Sequence, residues 1–270
     1  MTPPHPFRLF GPSHLAVLGA TAAVTAGLVM LARRSRPIAG APQARAGGGT
    51  GDSGDAAPLT GLPRAIAWCL AAVLLLDEIV IAALAAHADP AAFKDHLPFQ
   101  LCDWVIVACA AALVWRHRTA YELAYFWGLS GTLQALLTPD LAEDFPSLHF
   151  ITFQLLHASV VVAVLYLTLG LGMRPRPRSI LRAWLWLQAY VAVTALIDWL
   201  LVSNYGYLLR KPAQASLYDY LGPWPYYLLS LEALSLVLFL ACYAPFAVLD
   251  RLRRGEGSRS RSSPDGRRAG

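Results

Sequence analysis

The chain has 270 residues, of which 56% are hydrophobic and only 14% charged. Ordinary soluble domains carry about 25% charged residues, so a disordered chain, a small disulfide-stapled domain and most soluble enzymes are excluded. Apolar stretches of about 18 or more residues point instead to a polytopic membrane protein. The net charge of +5 comes from Arg, which supplies 20 of the 22 basic residues, mostly in loops and tails. Nucleic-acid binding is therefore a poor reading. The four Cys lie within or at the ends of apolar segments, in no disulfide spacing.

Seven apolar segments follow in order: 13–31, 65–86, 97–115, 120–138, 147–170, 180–202 and 224–249. Each is near the roughly 20 residues a bilayer requires. An all-α transmembrane bundle of about seven spans follows, because each segment must satisfy its own backbone hydrogen bonds in lipid. No alternating pattern suggests a β-barrel, and no internal repeat supports a repeat-built transporter. Span 1 is followed, not preceded, by its positive cluster, so it reads as an anchor with its N-terminus outside and not as a cleaved signal peptide.

Basic residues alternate by side. The 1–2, 3–4 and 5–6 loops and the C-terminal tail hold 18 of them; Arg8, Lys94, Arg210 and Lys211 make up the other side. The positive-inside rule then puts the N-terminus outside and the C-terminus in the cytoplasm. The expected location is the cell membrane. The chain divides into an N-terminal span (1–36), a Gly-, Ala- and Pro-rich disordered linker (37–61), a six-span core (62–250) and a disordered basic tail (251–270). Linker and tail are either solvated topology signals or contacts for anionic lipid headgroups.

Ionisable residues inside spans are costly, and here they gather toward the outer side. Pro98 suits a first helical turn, which puts Cys102 about one turn into span 3 near the positive end of the helix dipole. Such a thiol has its pKa lowered and is able to hold an acyl group as a thioester. The alternative is a small buried hydrophobe, the reading given to Cys69, Cys109 and Cys242. His157 lies about ten residues into span 5, roughly 15 Å along it. It is either a general base or a core His bonded to a backbone carbonyl. Their depths differ: Cys102 starts shallower than His157, and they meet only if helix 3 begins early or span 5 begins outside the hydrocarbon. His96, Cys102, His149 and His157 match no standard zinc spacing, so no metal site is expected. Asp77, Glu78, Asp103, Asp198 and Glu232 are able to pair with Arg210, Lys211 or Tyr and Trp donors; they read either as a proton relay or as interhelical hydrogen-bonding groups, the more frequent case. Trp224, Tyr226 and Tyr227 read as an interfacial aromatic belt.

The ordered motifs at these positions carry a resemblance. His96-Leu-Pro-Phe-Gln-Leu-Cys102, Tyr125-Phe-Trp-Gly-Leu, Gln134-Ala-Leu-Leu-Thr-Pro-Asp140 and Phe145-Pro146 with His157 are among them. So are Asn204-Tyr205 with Arg210-Lys211-Pro212, and Leu221-Gly-Pro-Trp-Pro-Tyr226 with Leu229-Ser-Leu-Glu232. The sequence resembles the bacterial YwaF-like integral membrane proteins from about 90 to 250, and more weakly over span 1. That family is similar to the eukaryotic transmembrane-protein-164 acyltransferases, and distantly to membrane hydrolases that use Thr and His. The resemblance implies Cys102 as nucleophile and His157 as base in a phospholipid acyltransferase that needs no cofactor. The candidates for holding substrate are His96, Gln100, Asp103, His149, Gln154, Asn204 and Tyr205, with Arg210 or Lys211 on a lipid phosphate. Members of the bacterial family tend to carry a basic residue where His149 stands. The rival readings are a lipid esterase using the same dyad, a small-solute transporter or sensor that depends on the intramembrane acids, and a structural membrane protein.

Overall fold

The computed structural model describes residues 5–35, 59–88, 94, 97–212 and 217–261. They form seven long helical passes and no β-sheet among the described residues, apart from one isolated bridge between Pro6 and Glu143. The passes are α1 (Pro12–Arg34), α2 (Gly61–Ala88), α3 (Leu101–Trp115), α4, α5 (Leu148–Gly170), α6 (Pro177–Leu201) and α7 (Tyr226–Arg261). α4 is Arg118–Trp127, Gly128–Thr132 and Leu133–Leu137 in unbroken succession. Five of the seven are long and apolar enough to cross a bilayer by length and composition. The exceptions are α3, of 15 residues, and α4, which is interrupted.

α5 is the central post. The membrane window of α5 is 67% buried, against 6% for α7, and α1, α2, α3 and α4 all pack on it. Its Val-rich stretch 159–164 allows this by presenting small, stiff side chains on every side. α4 comes closest at Gly128, where an added Cβ would meet Val164 Cγ2 at 3.2 Å and Val160 Cγ1 at 3.3 Å. Small residues permit such close helix approach in lipid, where packing replaces the hydrophobic drive. Both α4 and α5 relax into π-helical turns, at Gly128–Thr132 and Tyr166–Gly170. The α4 turn lies beside the first turn of α3, since a Cβ on Gly131 would touch Leu101 Cδ2 at 3.7 Å.

α1 is part of the bundle and more than an anchor. Its His14 is fully buried, accepts from Phe10 N at 3.1 Å and donates Nε2–H to Leu136 O at 2.9 Å. The segment before it pairs with the 4–5 loop through Phe7 N to Ala142 O (3.0 Å) and Asp144 N to His5 O (2.8 Å). At its other end Arg33 Nε donates to Leu169 O at 3.0 Å.

Three expectations change. Pro98 precedes α3, which starts at Leu101, because the Asp103 carboxylate accepts the Gln100 N–H (2.7 Å) and fixes the N-cap there. Tyr227 is not a belt residue: it is fully buried and its hydroxyl donates to Tyr207 O, whereas Trp224 and Tyr226 are exposed. α7 continues as helix to Arg261, eleven residues past 250, because an established helix adds each further residue for one hydrogen bond without a new nucleus. The linker up to residue 58, His96 and the tail beyond Arg261 lie outside the described residues.

Candidate functional site

α3 measures about 22 Å at 1.5 Å per residue, well short of a hydrocarbon core of about 30 Å. Its N-terminus is therefore recessed below the outer ends of longer neighbours. This settles the difference in depth. Cys102 lies 13 residues before Trp115 at the end of α3 (115 − 102), and His157 lies 13 residues before Gly170 at the end of α5 (170 − 157). Counted from the inner ends, the two are level.

They meet. Cys102 Sγ is 3.5 Å from His157 Nε2. His157 Nδ1 sits 2.7 Å from Phe153 O. A carbonyl oxygen only accepts, so in the neutral ring Nδ1 carries the proton and Nε2 turns its lone pair to the thiol. The Phe153 ring stacks on the imidazole at 4.1 Å between centroids, which fixes the plane of the ring. Thr132 Oγ1, from the π-helical turn of α4, approaches the sulfur from another side at 4.0 Å. His157 is thus a core His bonded to a carbonyl, and its other ring nitrogen faces the Cys102 thiol.

The non-helical backbone ahead of α3 is covered by protein, as membrane depth requires. Tyr190 Oη donates to Phe99 O at 3.1 Å. Gly206 N donates to Gln100 Oε1 at 2.9 Å, and Tyr205 packs edge-on to Phe99 at 5.5 Å. The 6–7 loop forms this cover. Asn204 shapes it, its Oδ1 accepting from Leu209 N (3.0 Å) and Arg210 N (2.9 Å) and its Nδ2 donating to Arg210 O (2.9 Å). Buried Asp198 anchors it by accepting from Ser203 Oγ (3.0 Å) and Tyr205 N (2.7 Å). Tyr207 in the same loop donates to Asp140 Oδ2 at 3.4 Å. Burial first, then the Asp140 carboxylate, push its hydroxyl up to about 12, so it stays a donor.

The candidate substrate residues divide accordingly. Gln100, Asp103, Asn204 and Tyr205 hold the first turn of α3 and its cover. Gln154, one turn before His157, is 2% exposed, and both its amide atoms lack a hydrogen-bond partner among the described residues. The Gln154 amide thus keeps polar capacity inside the bundle. His149 is exposed and packs edge-on to Phe153 at 6.1 Å, two turns away from the thiol. Arg210 is exposed, and Lys211 Nζ lies 5.7 Å over the Tyr227 ring. Among the described residues neither pairs with an intramembrane acid. Glu232 instead accepts from Trp184 Nε1 (3.0 Å) and Gln188 Nε2 (2.8 Å), an interhelical bond. Cys109 is buried in the core and Cys69 is exposed. Among the described residues no three His, Cys, Asp or Glu gather as metal ligands.

Sequence reading missed Thr132, Phe153 and Tyr190. The run Gly128-Leu-Ser-Gly-Thr132, polar and small inside an apolar helix, was the available sign for the first. The other two act through a ring face and a backbone contact, which no residue type announces.

Fold and site together define a multi-pass membrane protein with a thiol–imidazole pair held inside its helical bundle. The family model for the TMEM164 family matches residues 9–243, and the chain belongs to that family. The match takes in α1, consistent with its ties to α4 and α5. No curated protein and no solved structure matches the chain.

Proposed function

We propose that this protein is a phospholipid acyltransferase of the cell membrane that works through a Cys102 acyl-thioester. The carrying observation is the 3.5 Å contact between Cys102 Sγ and His157 Nε2, with Nδ1 tied to Phe153 O. His157 Nε2 takes the thiol proton as sulfur attacks the ester carbonyl of a donor lipid. The developing oxyanion is stabilised by the N–H groups of Leu101 and Cys102, first-turn donors of α3 with no intrahelical acceptor. The C–O bond breaks, the imidazolium returns its proton to the departing glycerol oxygen, and the acyl group stays on sulfur. An acceptor hydroxyl then loses its proton to Nε2, attacks the thioester and restores the thiol. Atoms balance without a cofactor, because one lipid supplies what the other receives. The Gln154 amide is suited to hold a polar atom of the substrate.

Glu232 already accepts two interhelical hydrogen bonds and Asp198 two from the covering loop, which favours chemistry at the thiol over a solute path through these two acids. The test uses purified protein in bilayer nanodiscs with an acyl-labelled phospholipid and a lysophospholipid acceptor. We expect labelled diacyl product and a labelled thioester at Cys102, both lost in Cys102→Ala. Labelled free fatty acid in place of diacyl product would mark a lipid esterase. Undiminished turnover in Cys102→Ala would overturn the thioester.

A further inference from the structure

A second polar centre lies at the other end of the bundle, about 21 Å from Cys102 along α3. The α3–α4 turn and the α5–α6 connection meet there around a cavity of about 450 Å³ lined by Arg116, Arg118, Arg174 and Arg176, with Tyr121 and Asp250. Arg174 Nη2 is paired with Asp250 Oδ1 at 2.8 Å. Arg118 Nε donates to Glu122 Oε1 at 3.1 Å, and Glu122, 1% exposed, also accepts from Ser179 Oγ (2.7 Å) and Arg182 Nη1 (2.7 Å). Glu122 is thereby satisfied by three donors and fixes the guanidinium of Arg118. The Nη2 atom of Arg118 is shut off from solvent and has no hydrogen-bond partner among the described residues.

The backbone adds to the same field. α4 begins at Arg118 and α6 at Pro177, so two helix N-termini open on this cavity. Each brings the positive end of its dipole; the Ala120 N–H is already held by His117 Nδ1 and the Ser179 N–H by Arg176 O. Basic residues on one side of a membrane protein are ordinarily topology signals. A topology signal requires only residence on that side. It does not require four guanidiniums on one cavity, a saturated buried carboxylate behind one of them, or a guanidinium nitrogen buried without an acceptor.

We propose that this cavity is a phosphate-binding site, with Arg118 and Arg176 as the principal ligands. It is independent of the acyl-transfer reading. Guanidinium forks match phosphate oxygens in pairs, and the cavity lies at the ends of the apolar helices, where basic pockets between helices take anionic headgroups. The same chemistry accepts a phosphate carried by a lipid or by a soluble ester.

The test is native mass spectrometry of the full-length protein in a zwitterionic detergent, with phosphatidylglycerol titrated against phosphatidylcholine. The expected result is one phosphatidylglycerol retained in preference to phosphatidylcholine. Arg176→Gln should weaken retention about tenfold, and Arg64→Gln, a basic-side residue away from the cavity, should leave it unchanged. Inorganic phosphate at constant ionic strength is the second arm. If it binds and displaces the lipid, the site serves soluble phosphate esters; if the lipid stays, it is a headgroup site. Equal losses in Arg176→Gln and Arg64→Gln, or equal retention of both lipids without phosphate binding, would overturn the proposal.

Discussion

His157 and Glu122 show two ways to place a polar residue in a helical bundle. His157 spends one nitrogen on its own helix, at Phe153 O, and leaves the other for the thiol. His157→Ala should therefore lower transfer by about 10²–10⁴-fold, the range of general-base catalysis. It should also slow labelling of Cys102 by a lipid-like electrophile; labelling that ignores the change would show that the imidazole does not activate the thiol. Glu122 spends both oxygens on Arg118, Ser179 and Arg182. Glu122→Gln leaves two guanidiniums without a counter-charge. A loss of about 1.5–3 kcal/mol, the range for hydrogen bonds to a charged group, should appear in thermal unfolding in detergent, since both guanidiniums keep access to solvent. In the sequence Cys102 was legible as a choice between nucleophile and packing, and the family motifs favoured the first. Glu122 was not legible at all, because its partners Ser179 and Arg182 are some 60 residues away and only the fold brings them near.

At the scale of the element, the passes and the ends of most of them follow from apolar length and from Pro at the first turn of α1 and α6. The start of α3 did not follow. Its N-cap depends on a capping bond from Gln100 to Asp103 and on a covering loop more than 100 residues later. Gly206 in that loop has φ +61°, and a Cβ there would lie 2.7 Å from Tyr190 Oη, the hydroxyl that bonds Phe99 O. Gly206→Ala is expected to displace this cover and reduce acyl transfer with the helical content intact, measured by circular dichroism beside the lipid assay. Val202 ends α6 with φ 55°, a left-handed conformation that suits Gly and disfavours a β-branched side chain. Val202→Gly should raise stability by about 1 kcal/mol, read as a higher unfolding temperature; a lower one would mean that the exposed side chain contributes more than its strain costs.

For the whole molecule, the distribution of Arg predicts that the end bearing Arg116 and Arg174 is cytoplasmic and the end bearing the covering loop is outside. A fluorescent protein fused at the C-terminus should be bright, and an alkaline phosphatase fused there inactive; the opposite pattern would invert the assignment. The short α3 has a further consequence. Its recessed start puts the sulfur below the bilayer surface, at a depth that a reactant reaches by diffusing within the plane of the membrane. The governing concentration is then the mole fraction of lipid in that plane, not moles per litre of sample. Adding inert detergent at fixed total substrate should slow turnover as the surface is diluted, and adding water should not.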